Sequence, residues 1–392
     1  MVGMEINEEL NGCIENMNTT TLNDIITIKK GKKPKTQSEH QQQGFMPYVD
    51  IAAFETSRIK MYTDGEKCLP CNNGDLLIVC DGSRSGLIGK AIKGYVGSTL
   101  ARIDVDEIVS KDYLYYFIQG KYSLLNTNVK GTGTPHVNQE LLKSFEIPVP
   151  PLPEQERIVA RIEELFSELD KAVETLKKTK EQLAVYRQAV LKEAFGKVED
   201  TIWLGEIIDS RLGKMLDKTK NVGTPRQYLR NTNVRWFSFD LSDLLEMKIE
   251  DDEIEKYSVD KGDLVICEGG EPGRCAVWEK DYTFFYQKAL HRVRFTDGSN
   301  PKFYMYYLWF SAQTGQLARY FTGTGIKHLT GQSLNKVTVP TALKSFQDKI
   351  VSEIESHLFV CDSIEKTIDT ALQESEAMRQ SILKKAFEGG FI

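Results

Sequence analysis

"PPLPEQERIVARIEELFSELDKAVETLKKTKEQLAVYRQAVLKEAFG", residues 150–196, carries a regular apolar pattern from which the architecture follows. Apolar or small residues fall at Ile158, Ile162, Leu165, Leu169, Ala172, Leu176, Thr179, Leu183, Tyr186 and Val190, a strict alternation of four and three. That period keeps one stripe of a helix facing a partner helix, so the segment reads as coiled coil. Pro150, Pro151 and Pro153 mark its start, because proline suits a first helical turn and breaks an interior.

The seam recurs 192 residues later at Ile350, Ile354, His357, Cys361, Ile364, Ile368, Ala371, Ser375, Met378 and Ile382. "YRQAVLKEAFG" (186–196) closes the first copy and "MRQSILKKAFE" (378–388) the second, with identities at Arg187/Arg379, Gln188/Gln380, Leu191/Leu383, Lys192/Lys384, Ala194/Ala386 and Phe195/Phe387. Heptads this long without Gly or Pro rarely serve a single globular core. The two helices are therefore expected to pair antiparallel within the chain.

The repetition continues outside the helices. "NNGDLLIVCDGSRSG" (72–86) matches "DKGDLVICEGGEPGR" (260–274), and "KGTGTPHVNQELLKSFEIPVP" (130–150) matches "TGTGIKHLTGQSLNKVTVPTA" (322–342). Earlier, "LNDIITIKKGK" (22–32) pairs with "LGEIIDSRLGK" (204–214). Short β-rich runs such as "DLLIVC", "DLVICE" and "KALHRVRF" alternate with Gly, Asn and Pro turns. The aromatic patches in "KDYLYYFIQGKYSLL" and "PKFYMYYLWFSAQTGQLARYF" have helical spacing and read as core faces.

The expected fold is α+β, with two similar α/β heads joined by two long antiparallel helices in an intramolecular coiled coil with pseudo-twofold symmetry. The boundaries are an N-terminal arm over 1–19, a head over 20–150, a central spacer helix over 151–198, a second head over 199–342 and a C-terminal spacer helix over 343–392. The heads are expected at opposite ends of a rod. About 38 helical residues at ~1.5 Å each span roughly 57 Å, which caps the separation of two DNA half-sites near 17 base pairs.

The net charge is −6, yet charge is segregated. "KKGKKPK" (29–35) holds five lysines in seven residues, while "DLSDLLEMKIEDDEIEK" (240–256) holds eight acids against two lysines. An acidic chain with concentrated basic loops suits a DNA reader that meets phosphates locally. The acidic N-terminus, the lack of a long apolar run and seven scattered cysteines point to the cytoplasm. Cys68 and Cys71, even with Cys80, lack the second pair of a structural zinc site and read as a turn with ordinary thiols; no metal is expected.

The "G-T-G" turn with His136 or His328, the "I-P-x-P-P-L-x-E-Q" entry and the long helix ending "Y-R-Q-A-V-L-K-E-A-F" together resemble the specificity subunit of type I restriction-modification systems. The resemblance covers nearly the whole chain and is most specific over 147–195. It implies two target-recognition domains, each reading one half of an asymmetric bipartite double-stranded DNA site. It also implies helices that dock two methyltransferase (modification) subunits, with restriction (motor/nuclease) subunits joining them. No cofactor is implied for this chain: S-adenosylmethionine, ATP and Mg belong to the partner subunits, which carry out DNA methylation and cleavage. The second entry, "VTVPTALKSFQDKI", lacks the Pro-Pro and Glu-Gln pairs as a motif.

The residues agree that catalysis lies elsewhere. "FTGTG" (321–325) fits the F-x-G-x-G pattern of methyltransferases, but no N-P-P-Y or D-P-P-Y tetrapeptide and no G-x-x-x-x-G-K-[ST] loop occurs. The chain is read as a non-catalytic recognition subunit.

DNA contacts are expected from Lys30, Lys32, Lys33 and Lys35 in the lysine loop, and from Ser83, Arg84 and Ser85 in "DGSRSG". The first Gly-rich turn adds Lys130, Thr132, Thr134 and His136, and the second adds Thr324, Lys327 and His328. The basic stretch of the second head supplies Lys214, Lys218, Lys220, Arg226, Arg230, Asn231, Asn233 and Arg235, with Arg274 beyond it. Asparagine offers the donor-acceptor pair that adenine demands. For partner docking, the resemblance points to the repeated helix ends: Arg187, Gln188, Lys192, Phe195, Arg379, Gln380, Lys384 and Phe387.

Overall fold

A computed structural model describes residues 18–131, 133–217, 219 and 221–388. Most of the expected N-terminal arm lies outside these residues, as do Thr132, Lys218 and Lys220. The chain divides into two compact units, Met1–Leu176 with Thr370–Ile392, and Lys177–Asp369.

Unit 1 contains β1 (Thr19–Thr21), β2 (Ile26–Lys30), β3 (Met46–Val49), β4 (Tyr62–Thr63) and β5 (Pro70–Cys71). It continues with β6 (Leu76–Val79), β7 (Ile88–Lys90), β8 (Gly94–Val96), β9 (Leu100–Val105) and β10 (Glu146–Pro148). One sheet has the order β2-β9-β6-β7, a second β4-β3-β8-β5, and β1 pairs with β10. Strand β6 shows why these residues make this layer. Successive strand side chains point to opposite faces, and Leu76 and Ile78 enter one core while Leu77 and Val79 enter another. All four are fully buried, each contributing roughly 1.5–3 kcal/mol. A continuous apolar run is what a strand covered on both faces requires.

Helix α1 (Lys111–Gly120) is capped by the Ser110 side chain, which accepts from Tyr113 N. Tyr113, Leu114, Phe117 and Ile118 on its inner face are buried, so the aromatic patch is core, as its spacing predicted. Helix α2 (Leu152–Gly196) follows β10.

Unit 2 repeats the plan with β11 (Thr201–Trp203), β12 (Ile208–Leu212), β13 (Thr224–Leu229), β14 (Val234–Arg235), β15 (Ser238–Phe239) and β16 (Leu245–Ile249). Then come β17 (Ser258–Val259), β18 (Leu264–Cys267), β19 (Cys275–Val277), β20 (Phe284–Tyr286), β21 (Leu290–Phe295) and β22 (Thr338–Pro340). Its sheets run β12-β21-β18-β19 and β16-β13-β20-β17, with β11 on β22. The β14–β15 hairpin occupies the place where unit 1 has the short helix Ile51–Thr56. Helix α3 (Pro301–Gln313) is the counterpart of α1, and α4 (Lys344–Phe387) that of α2.

Both long helices are locked at their entry by one glutamine. Gln155, fully buried, accepts from Ser110 N at 2.8 Å and donates to Ile108 O at 2.9 Å and Pro150 O at 2.8 Å. Gln347 accepts from Asn300 N at 2.7 Å and donates to Ala342 O at 2.9 Å and to Ser299 Oγ at 3.2 Å. The second entry lacks the Glu-Gln pair, with Phe346 where the first has Glu154, yet it keeps the glutamine, which gives the Asn300 amide its acceptor.

In each unit the helices run antiparallel. Arg379 pairs with Asp170 and lies 4.9 Å over the Phe166 ring in unit 1. In unit 2, Arg187 bonds Asp362 at 2.7 Å and Glu365 at 2.8 Å, and Lys180 bonds Asp369 at 2.6 Å. Arg187 and Arg379, like Asp170 and Asp362, stand 192 residues apart, so the same clamp is written twice.

Candidate nucleic-acid interface

Each head brings a hairpin loop and a Gly-rich turn side by side. In unit 1, the loop after β6 meets the turn through Gly82 N to Pro135 O at 2.9 Å and Val137 N to Cys80 O at 2.8 Å. Lys130 and His136 close the turn with two backbone bonds of 2.8 Å. Ser85 is completely buried and its hydroxyl serves Cys80, Gly82 and Pro135 carbonyls, so it holds the two loops together and has no surface for DNA. Asn126, which sequence reasoning did not single out, donates to the Ser83 and Ser85 carbonyls at 3.0 Å.

Asp81 is the charged centre of this platform. Its carboxylate accepts from His136 Nδ1 at 2.7 Å and from Lys30 Nζ at 2.8 Å. Burial pushes this carboxyl up, but the hydrogen bonds from Lys30 and His136, with the charge of Lys30, outweigh it and hold it below the usual carboxylate range. Nothing in the sequence flagged Asp81, since its repeat partner is Gly269.

Around the platform, Lys32 and Lys33 are exposed and form no ion pair among the described residues, whereas Lys35 reaches Glu66 at 3.4 Å. Arg84 is paired with Glu55, and Lys130 with Glu140 at 2.5 Å. Both arginine and lysine heads stay about half exposed. Ser83 and Thr134 are exposed.

Unit 2 uses the same backbone plan, with Leu329 N bonding Glu268 O at 2.7 Å. His328 lies over Gly269, and Lys327 Nζ bonds the Gly323 carbonyl at 2.8 Å; Thr324 and Lys327 are exposed. Several expected contacts are internal instead. Lys214 is buried against Glu253, 5.6 Å over the Tyr257 ring, because its stretch passes beneath the 250–257 segment. Asn233 is buried, accepting from Arg230 N at 2.9 Å and donating to the Asp240 and Asp243 carbonyls, so it shapes a turn and reads no base. Asn231 Nδ2 bonds Gly269 O at 2.8 Å, and Arg274 bonds Glu271 at 2.7 Å and the Asn231 carbonyl at 2.8 Å. Arg230 pairs with Asp243 at 2.7 Å, Arg235 with Asp240 at 3.5 Å and Arg226 with Asp251 at 3.8 Å.

At the helix ends, Phe195 is buried and Phe387 half-buried, and each ring packs against the core of its unit. Phe195 packs on Phe303 and Tyr307 at 5.4 and 5.3 Å, and Phe387 packs on Tyr113 and Phe117 at 5.0 and 5.2 Å. Arg187 and Arg379 are engaged across the helix pair, leaving Gln188, Lys192 and Lys384 as the exposed members; Gln380 is half-buried.

The Cys71 and Cys80 thiols are each pushed up to about 11, mainly by burial, which suits core packing. Among the described residues no three His, Cys, Asp or Glu side chains are placed to hold a metal ion, and no helix is long and apolar enough to cross a membrane.

The duplicated heads match a known family model twice, over residues 14–184 and 200–374. The chain belongs to the type I restriction modification DNA specificity domain family. It is 30% identical over 187 residues to the MjaVIII specificity subunit of Methanocaldococcus jannaschii, covering 47% of this chain and 43% of that protein. To the EcoBI specificity subunit of Escherichia coli it is 23% identical, covering 94% of this chain and 85% of that one. Solved structures agree on the fold. A chain solved in work on complex assembly and conformational transition of the type I R-M system has a TM-score of 0.73 at 17% identity, covering 94% and 97%. The HsdS subunit of Thermoanaerobacter tengcongensis has a TM-score of 0.62 at 17% identity, covering 95% and 96%.

Proposed function

We propose that this specificity-family chain is the non-catalytic DNA sequence-recognition subunit of a type I restriction-modification complex in the cytoplasm. Each head reads one half of an asymmetric bipartite site through its loop-and-turn platform, and the helices set the spacer and dock two methyltransferase subunits. Restriction subunits complete the nuclease, and S-adenosylmethionine, ATP and Mg act on those partners.

The observation that carries this reading is the duplicated head: one strand order built twice, with the backbone platform shared and the polar side chains on it different. Two different readers on one chain fit two different half-sites, whereas a symmetric dimer fits a palindrome. Exposed lysines such as Lys32 and Lys33 suit phosphates, which position the protein without selecting sequence.

The test is to exchange residues 20–150 for the corresponding head of a related specificity subunit and map the methylated sequence. One half-site should change while the other stays. An unchanged pair of half-sites would end this reading. Deleting one heptad from each long helix should shorten the spacer by about three base pairs, since seven residues rise roughly 10 Å.

A further inference from the structure

The chemistry of His136 narrows what unit 1 reads, on the reading that its head is a DNA reader. An ionised carboxylate only accepts hydrogen bonds, so the 2.7 Å contact to Asp81 requires the hydrogen on Nδ1. In the neutral ring the other nitrogen, Nε2, is then an acceptor. No partner to Nε2 is present among the described residues, and the side chain is 52% exposed.

The ring is also fixed in place. His136 is held by backbone bonds to Lys130, and its neighbours on either side bond the 80–82 loop. Gly131, at φ +93°, leaves room for the ring: a Cβ there would lie 3.1 Å from His136 Cδ2. Lys30 occupies the second carboxylate oxygen of Asp81, so the acid cannot swing away to another donor.

We propose that Asp81 is a positioning residue that makes His136 a base reader, and that the ring reads DNA in its neutral form, with Nε2 accepting from the exocyclic amino group of adenine or cytosine in the half-site read by unit 1. Guanine and thymine present only acceptors at the corresponding major-groove positions and are rejected. Unit 2 lacks this device. Gly269 stands in place of Asp81, and a Cβ at that position would lie 3.0 Å from His328 Nδ1. His328 forms no bond to a carboxylate among the described residues, so the selection belongs to one half-site.

The experiment uses the full chain assembled with its methyltransferase subunits on a DNA library with the unit 1 half-site randomised, and sequences the methylated products. Wild type should show one position restricted to adenine or cytosine. Asp81→Ala and His136→Ala should each reduce that preference about tenfold, with other positions and the unit 2 half-site unchanged. Asp81→Asn, whose carbonyl still accepts from Nδ1, should retain it. Equal preferences in wild type and both alanine variants would reduce Asp81 to a brace and overturn the inference, as would selection of guanine at that position.

An intact unit 2 half-site reports folding within the same molecule. Should Asp81→Ala fail to assemble, His136→Ala decides, because the backbone bonds that close its turn remain. The head exchange separates the two levels: if it alters one half-site while the alanine variants alter nothing, only this inference fails. If the exchange alters nothing, the head reading itself fails.

Discussion

The two heads share a backbone and differ in their polar chemistry. Leu76–Val79 and Leu264–Cys267 bury four side chains apiece, alternating between two cores in the same order. Gly31 and Gly213 make the same tight crossing, where a Cβ would meet the Gly97 carbonyl oxygen at 2.2 Å or that of Gln287 at 2.3 Å. The next residue already diverges: Lys32 is exposed, whereas Lys214 is buried against Glu253. Asp81 opposite Gly269 is the same lesson at the platform. The helix pair follows suit, with an open groove of about 420 Å³ beside Leu165, Leu169 and Met378 in unit 1. The matching groove in unit 2 is about 100 Å³, narrowed where Tyr186 Oη meets His357 Nδ1 at 2.9 Å. Core and crossing positions are constrained by packing common to both units, while polar tips answer to whatever each surface meets.

The crossing is the sharpest place to break this comparison. Gly31→Val and Gly213→Val should each destabilise by about 3 kcal/mol, because the obstacle is backbone that cannot rotate away. Urea unfolding of the two variants should agree, and a neutral result in either would mean the crossing is not shared. Lysine comes next. Lys214→Met leaves the half-buried Glu253 carboxylate without its partner and should lose about 2 kcal/mol, against less than about 0.5 kcal/mol for Lys32→Met.

The helix clamps should behave alike again. Arg187→Ala and Arg379→Ala are each expected to lose about 1 kcal/mol, measured by thermal melting of the full chain. Unequal losses would show that the repeated arginines do different work.

Acid sensitivity gives the smallest effect. In unit 1 the Asp75, Asp81 and Asp104 carboxyls are all held below the ordinary 3.8: burial raises each, and hydrogen bonds outweigh it. Lys111 serves Asp75, Lys30 and His136 serve Asp81, and Arg102 and Lys29 serve Asp104. A folded value below the unfolded one means their stabilisation is complete above that range and is lost as pH falls through the depressed values. Asp81→Asn should flatten the acid limb of a stability-pH curve relative to wild type. An identical limb would mean that the network adds no pH-dependent stability.

Much of the helical and strand plan was legible because its signals are local or repeated. The heptad seam, Leu76–Val79 and the aromatic face of α1 each declare their burial by spacing. Repetition also located the turn histidines, and the Gln155–Gln347 match at 192 was present in the letters although motif reading passed over it. Polar residues misled where they were read without partners: Lys214, Arg274 and Asn233 belong to internal networks.

Two heads on two paired helices can be read from the letters alone, since apolar period and duplicated turns require no knowledge of distant neighbours. Which polar groups face outward depends on the folded chain. Asp81 and His136 are 55 residues apart, Arg84 and Glu55 are 29, and Lys214 and Glu253 are 39. A hydrogen bond between such residues exists because folding brings two loops within 3 Å, and no spacing along the chain encodes that approach.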